Sequence, residues 1–265
     1  MKILSYNING IRASSKLGLI EWLQDCDIDV VCLQEVRCSE ELTNEILYST
    51  SKQLSLFETP TPNLSNYFPI YNCGNVAGYA GTLILSKLKP TKIILGMEDF
   101  WTDNEGRTTT IIIDNLAIIN TYVPNGNSRL DFKMKYLEAL NKFIDKLKKS
   151  YKVICAGDFN ISHNEIDLTN PKECKTKSVF LPIEREAFSN LLNLGLIDSF
   201  RFLNPNKIQY SWRSYRSRND SSYNSWQYRI DYILIDERLK HNLQNSDILN
   251  LPYSDHLPAL TGLNF

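Results

Sequence analysis

Tyr151-Lys-Val-Ile-Cys-Ala-Gly-Asp-Phe-Asn160 is the stretch on which the fold turns. Its apolar, β-favouring residues read as a buried strand over Tyr151–Gly157, and the strand stops on two polar side chains, Asp158 and Asn160. The same grammar recurs along the chain. Lys2–Ile8 ends in Asn7 and Asn9, Ile28–Leu33 runs into Gln34 and Glu35, and Leu116–Val123 closes on Tyr122 and the turn residue Asn125. Arg229–Ile235 carries Asp231 at its start, and a Ser254-Asp255-His256 turn precedes the run Pro258–Leu263. Further β-rich runs cover Tyr67–Tyr71, Gly81–Ser86, Lys92–Leu95, Thr108–Ile113 and Tyr210–Trp212.

Amphipathic helical patterns sit between these runs at Leu17–Cys26, Leu130–Lys149 and Glu184–Leu194. In the longest, Phe132, Tyr136, Leu140, Phe143 and Leu147 keep the three-or-four spacing of one buried face. So many apolar strands exceed what one sheet with a wet face holds, which predicts two packed sheets with helices on their outer sides. No linker or low-complexity tract breaks the 265 residues, so one domain over residues 1–265 is expected, and the hydrophobic share of 43% furnishes its core.

The six cysteines form no C-x-x-C pair, which argues against a disulfide framework or a zinc site. No run of apolar residues is long enough for a membrane span, and the first residues are too polar for a signal h-region. A soluble, intracellular, cytoplasmic monomer is expected, with the nucleoid if the cell is bacterial. The net charge of −1 leaves the partner open, since a neutral total can hide a basic face opposite an acidic pocket.

Each polar strand end alone is ordinary turn chemistry. Together Glu35, Asp158, Asp231 and Asp255 with Asn7, Asn9 and Asn160 make an oxygen-rich set that suits a hard cation, Mg²⁺ with Mn²⁺ as substitute. A cation, a histidine and amides around carboxylates fit hydrolysis of a phosphate ester. Asp231 is then the natural partner of His256, fixing its tautomer and supporting its charge, while Asp255 faces the metal.

Asn7-Ile-Asn-Gly-Ile-Arg-Ala13, Leu33-Gln-Glu-Val-Arg-Cys38, Gly78-Tyr-Ala-Gly81, Tyr122-Val-Pro-Asn-Gly126, Gly157-Asp-Phe-Asn-Ile-Ser-His163, Asp198-Ser-Phe-Arg201 and Arg229-Ile-Asp-Tyr-Ile-Leu234, with Ser254-Asp-His256, carry a family resemblance in this order. They resemble the exonuclease III/apurinic-apyrimidinic endonuclease family of the endonuclease/exonuclease/phosphatase superfamily. The resemblance implies a four-layered α/β sandwich of two mostly antiparallel sheets flanked by helices. It also implies Mg²⁺-dependent cleavage of double-stranded DNA 5′ to abasic sites, with trimming or repair of blocked 3′ ends.

By the same resemblance Glu35 matches the metal-binding glutamate, with Asn7, Asn9 and Asp255 beside it. Asp158 matches the residue that orients or activates water, Asn160 its transition-state neighbour, Tyr122 and Asn125 the phosphate contacts, and Asp231 and His256 the paired carboxylate and imidazole. Trp212 and Ile230 match walls of the pocket for the extruded sugar. Tyr228 stands where the family has Trp, and Trp226 lies two residues earlier, so either can supply the remaining wall. Lys177, Arg213 and Arg216 are expected along the phosphate backbone; Cys174 and Lys177 replace asparagines that relatives offer there. Competing readings are a phosphomonoesterase or phospholipase of the same superfamily, and a silent DNA-binding relative, which would have lost one of the polar strand ends.

Overall fold

In the computed structural model of the protein, residues 1–48, 64–76, 78–98, 103–214 and 226–265 are described. Arg216, expected along the phosphate backbone, lies outside the described residues.

Two six-stranded sheets make the centre. The first contains β1 (Lys2–Asn7), β2 (Val30–Gln34), β3 (Phe68–Asn72), β4 (Thr82–Ser86), β13 (Leu243–Ile248) and β14 (Ala259–Leu263), in the order β13-β14-β1-β2-β4-β3. The second contains β5 (Lys92–Leu95), β6 (Thr108–Ile113), β7 (Leu116–Tyr122), β8 (Lys152–Asp158), β9 (Leu196–Asp198) and β12 (Asp231–Asp236), in the order β5-β6-β7-β8-β12-β9. Each sheet is antiparallel apart from its central pair, β1 with β2 and β7 with β8. A short ribbon of β10 (Trp212–Arg213) and β11 (Gln227–Tyr228) stands apart.

Between the sheets lies a core of aliphatic side chains, including Ile3, Val30, Cys32 and Ile84 from the first and Ile111, Ile118, Ile154 and Ile233 from the second. Alternate residues of the same strands face outward and are covered by helices, because a strand buried on both faces must be apolar at every position. On the first sheet α1 (Ile11–Lys16), α2 (Leu19–Asp25) and α3 (Glu40–Tyr48) bury Ile11, Leu19, Ile20, Leu23 and Leu47. On the second, α4 (Leu130–Lys148) and α6 (Pro182–Asn193) bury Tyr136, Leu140, Phe143, Phe188 and Leu191. Two shorter helices, α5 (Pro171–Cys174) and α7 (Ser199–Leu203), flank them. The expected α/β sandwich of helices, two sheets and helices is what the chain forms.

Local departures have local causes. The helix expected over Leu17–Cys26 runs over Leu19–Asp25, because Gly18, with a left-handed φ of 99°, separates it from the preceding α1. Helix α6 starts at Pro182 rather than Glu184, since proline suits the first turn, where its missing N–H costs nothing. Strand β10 is Trp212–Arg213 rather than Tyr210–Trp212. Edge strands β9 and β13 escape a reading based on apolar runs: one has three residues and the other, Leu-Gln-Asn-Ser-Asp-Ile, is polar on its open side.

The stagger of the sheets is set by polar contacts in the seam. Gln34 donates to Asn120 Oδ1 at 2.8 Å, and Asn120 donates to the carbonyls of Leu33 and Leu83, each at 3.0 Å. Buried amides with partners specify one register where hydrocarbon alone would slide. Among the described residues all six cysteines are free, and no helix is long and apolar enough to cross a membrane.

The central pair β7–β8 tolerates no side chain at Gly157, where a Cβ would lie 1.9 Å from the Thr121 carbonyl oxygen. Gly157→Ala is therefore expected to destabilise the protein by about 3 kcal/mol or more, the upper end of overpacking costs. Denaturant unfolding checks this; a midpoint equal to that of the parent would show that the strands can separate there freely.

Candidate active site

The two parallel pairs bring their carboxyl ends to the same edge of the sandwich. Registers then fix which side chains meet: Asn7 lies opposite Gln34 in the first sheet, while Tyr122, Asp158 and Asp231 stand side by side across the second. Asn7 joins the sheets, its amide donating to Glu35 Oε1 at 2.8 Å and to Asp158 Oδ2 at 2.9 Å. Several non-glycine residues here have left-handed backbone, with φ of 49° at Asn9, 55° at Glu35, 54° at Arg37 and 51° at Asn160. Such conformations cost about 1–3 kcal/mol each and persist where neighbours over-determine them.

Asp158 is buried, and its Oδ1 accepts the Asn160 N–H at 2.9 Å. The Asn160 amide donates to the Val123 carbonyl at 2.9 Å and to Asp158 Oδ2 at 3.3 Å, so both its hydrogens are engaged. Asn160, which the resemblance gives as the transition-state neighbour of Asp158, also holds that carboxylate. Burial first, and then the charge of Asp231, raise the Asp158 pKa to about 7. Asp231 Oδ2 lies 2.9 Å from His256 Nδ1, and its N–H donates to Ser211 Oγ. Burial disfavours a charged imidazole, but Asp231, Asp158 and Asp255 outweigh it and lift the His256 pKa to about 10. At neutral pH His256 is an imidazolium, with Nε2–H as its second donor.

Asp255 is engaged on both oxygens: Oδ1 accepts from Asn9 at 2.9 Å and Oδ2 from the Trp212 indole N–H at 3.1 Å. Trp212 stacks on Tyr228 with centroids 5.1 Å apart and planes within 8°. Ile230, Val179 and Leu168 pack with them. Tyr122 sits under the Arg107 guanidinium, 4.5 Å from its ring centroid. Burial, followed by Glu35 and Asp158, pushes its phenol well above the ordinary value, so it stays protonated. Asn125 reaches toward Asn160 Oδ1 at 3.4 Å.

These groups surround one cleft of about 730 Å³, with Glu35, Asp158 and His256 on the polar side and Trp212, Tyr228, Ile230 and Val179 on the apolar side. Asn9, Tyr122, Asn125, Asn160, Lys177 and Asp255 also border it; Asn7 and Asp231 lie just beneath. Two expected residues stand elsewhere. Trp226 does not line the cleft: it packs on Tyr228 at 6.4 Å and carries the Lys177 ammonium 3.7 Å from its ring centroid. The remaining wall is therefore Tyr228. Arg213, expected along the phosphate backbone, is exposed outside the cleft, pairs with Gln227 in the β10–β11 ribbon and donates its backbone N–H to the Asp255 carbonyl.

A buried acidic and histidine cluster here can hold a metal ion, for Asp158, Asp231 and His256 bring ligand atoms within 4.8 Å of one another. The imidazolium, however, already serves as the counter-charge of that trio. The oxygens that could accept a cation are those of Glu35, salt-bridged to Arg37 at the cleft, and of Asp158, all of them already accepting hydrogen bonds, with Asp231 Oδ1, which is buried without a hydrogen-bond partner among the described residues. That all-oxygen set fits a hard divalent ion. Arg37, Arg107, and the Lys133–Glu184 pair behind Asn160 were not picked out from the sequence as site residues. Arg37 was legible, lying two residues after Glu35; the others sit in runs whose pattern says only strand or helix.

Residues 4–256 match the profile of the endonuclease/exonuclease/phosphatase family. An exodeoxyribonuclease of Bacillus subtilis (strain 168) is 35% identical over 265 aligned positions, covering 98% of this chain and 98% of that protein. A DNA-(apurinic or apyrimidinic site) endonuclease of Dictyostelium discoideum is 32% identical over 266 positions, covering 97% of this chain and 69% of its own. The solved structure of an AP endonuclease from Archaeoglobus fulgidus superposes with a TM-score of 0.80 at 25% identity, over the whole of both chains. With strand order, strand-end chemistry and a match across nearly all of its length in agreement, the chain belongs to the endonuclease/exonuclease/phosphatase family, in its exonuclease III and apurinic-apyrimidinic endonuclease branch.

Proposed function

We infer that this protein is a DNA-repair phosphodiesterase that uses Mg²⁺, cuts duplex DNA 5′ to abasic sites and processes 3′ ends. The observation that carries the reading is the linked set Glu35–Asn7–Asp158 beside Asp231–His256: carboxylates at a cleft edge with a fixed cationic donor among them. The activities for which the Bacillus and Dictyostelium relatives are named support the same conclusion.

Asp158 is placed to orient a water and take its proton as the water oxygen bonds to phosphorus. The bond from phosphorus to the 3′ oxygen of the preceding nucleotide breaks and that oxygen takes up a proton from solvent, leaving a 3′ hydroxyl and a 5′ phosphate on the abasic sugar. Glu35, with the Asp158 and Asp231 oxygens beside it, would hold a hard divalent ion, which would supply charge neutralisation at the phosphate. His256 Nε2–H and the Tyr122 hydroxyl donate to the non-bridging oxygens, where charge grows in the transition state. The apolar wall accepts the extruded sugar, and extrusion costs least where no base is stacked. Because Trp212 and Tyr228 already stack face to face, a base cannot lie between them.

Incubation of the purified protein with Mg²⁺ and a duplex carrying one abasic site is the direct test. Cleavage is expected, excess chelator should abolish it, and Asp158→Asn should lower turnover by roughly 10²–10⁴-fold with DNA affinity retained. Turnover of that variant within a few-fold of the parent would remove Asp158 from the reaction.

The charge on His256 depends on Asp231, so pH gives a second prediction. The raised pKa means that the imidazolium exists below about 10 and is lost above it. Asp231→Asn removes the nearest stabilising charge, which should move the alkaline fall of kcat down toward neutral pH. An unmoved alkaline limb would assign it to another group.

The wall assignment gives a third. Trp212→Ala should impair abasic cleavage more than Trp226→Ala, since only Trp212 borders the cleft. The opposite ranking, with both variants folded, would place Trp226 in the wall.

A further inference from the structure

We propose that Lys133 is a positioning residue for the reaction, fixing Asn160, and through it Asp158, from outside the cleft; the inference rests on the functional reading above. Lys133 Nζ and the Glu184 carboxylate lie 2.6 Å apart, each with 0% exposed side chain, at the contact of α4 and α6. Neither borders the cleft. Replacing such a pair with hydrocarbon often leaves stability unchanged or improves it, so a buried ion pair is poorly explained by packing alone.

Its directional contacts explain it better. Lys133 Nζ donates at 2.7 Å to the carbonyl of Asn160, the residue whose left-handed backbone and N–H hold Asp158. Glu184 accepts from Ser178 Oγ at 2.8 Å, from Val179 N–H at 2.8 Å and from Leu181 N–H at 3.0 Å. The turn from Tyr122 closes on the same pair: a Cβ on Gly126 would lie 2.9 Å from Glu184 Oε1 and 3.2 Å from Lys133 Cδ. Three segments that line the cleft, around Tyr122–Asn127, Asp158–Asn160 and Thr176–Leu181, therefore converge on one charge pair. Lys133 reaches the segment that carries the reacting carboxylate, and Glu184 the segment that carries the wall.

The test separates positioning from folding. Lys133→Met keeps length and removes both charge and donor; Glu184→Gln, added to it, removes the stranded carboxylate while keeping an acceptor for Val179 and Leu181. The double variant Lys133→Met/Glu184→Gln is expected to melt close to the parent and to hold KM and DNA affinity within about threefold. Its kcat on an abasic duplex should still fall roughly 10–100-fold, the cost of a reacting group misplaced by about an ångström. Each protein is assayed below its own melting midpoint, so that loss of fold does not enter kcat. A double variant with parental kcat would overturn the inference, as would a loss confined to KM. An inactive parent would instead overturn the functional reading, so the two failures are distinguishable.

Discussion

Direction of chain in one pair of strands per sheet is the constraint on which the rest depends. In each sheet the order of pairings is antiparallel, antiparallel, parallel, antiparallel, antiparallel, and the parallel pair is central. Two neighbouring strands that run the same way end at the same edge, and both sheets present that edge to the same side, as the Asn7 to Asp158 bond requires. Four strand ends therefore meet, and loops leaving the most rigid part of the molecule carry their polar side chains only a residue or two beyond the ladder. Strained backbone at Glu35 and Asn160 is sustained because the flanking positions are clamped.

Charge is arranged with the same economy. Burial, and after it the neighbouring charge of Asp231, raise the pKa of Asp158. The imidazolium of His256 offsets part of this and leaves a remainder that suits a divalent cation. Away from the chemistry, Arg229 is completely buried against Asp167 and Asp198, fixing the approach to Ile230 and Asp231. Asp231 Oδ1, just beneath the cleft, is one of the buried acceptors without a hydrogen-bond partner among the described residues.

Much of this was legible in the sequence because strand ends are local signals. A continuous apolar run followed by Asp-x-Asn or Gln-Glu names both the strand and the residue that leaves it, and those residues came together. The readings left open or missed needed partners remote in the chain. Trp226 and Tyr228 are two apart, so alternation cannot choose between them; pairing of Tyr228 with Trp212 decides. Lys133 was hidden for a related reason. A lysine inside an amphipathic stripe looks like a solvent position, and only the arrival of Glu184 from α6 makes its burial possible. Edge strand β13 was missed because half its surface is wet.

The pairing of β1 with β14 has a consequence for the time at which cutting can begin. Asn9 and Asp255, bonded across the cleft, are 246 residues apart, and His256 arrives with the turn that leads into β14. Contacts of such separation close late in folding. Until that turn docks, Glu35 and Asp158 stand without the imidazolium, and Trp212 without its acceptor Asp255. The cleft is completed by a segment remote in sequence from the strands that begin it, so cutting waits on the fold as a whole.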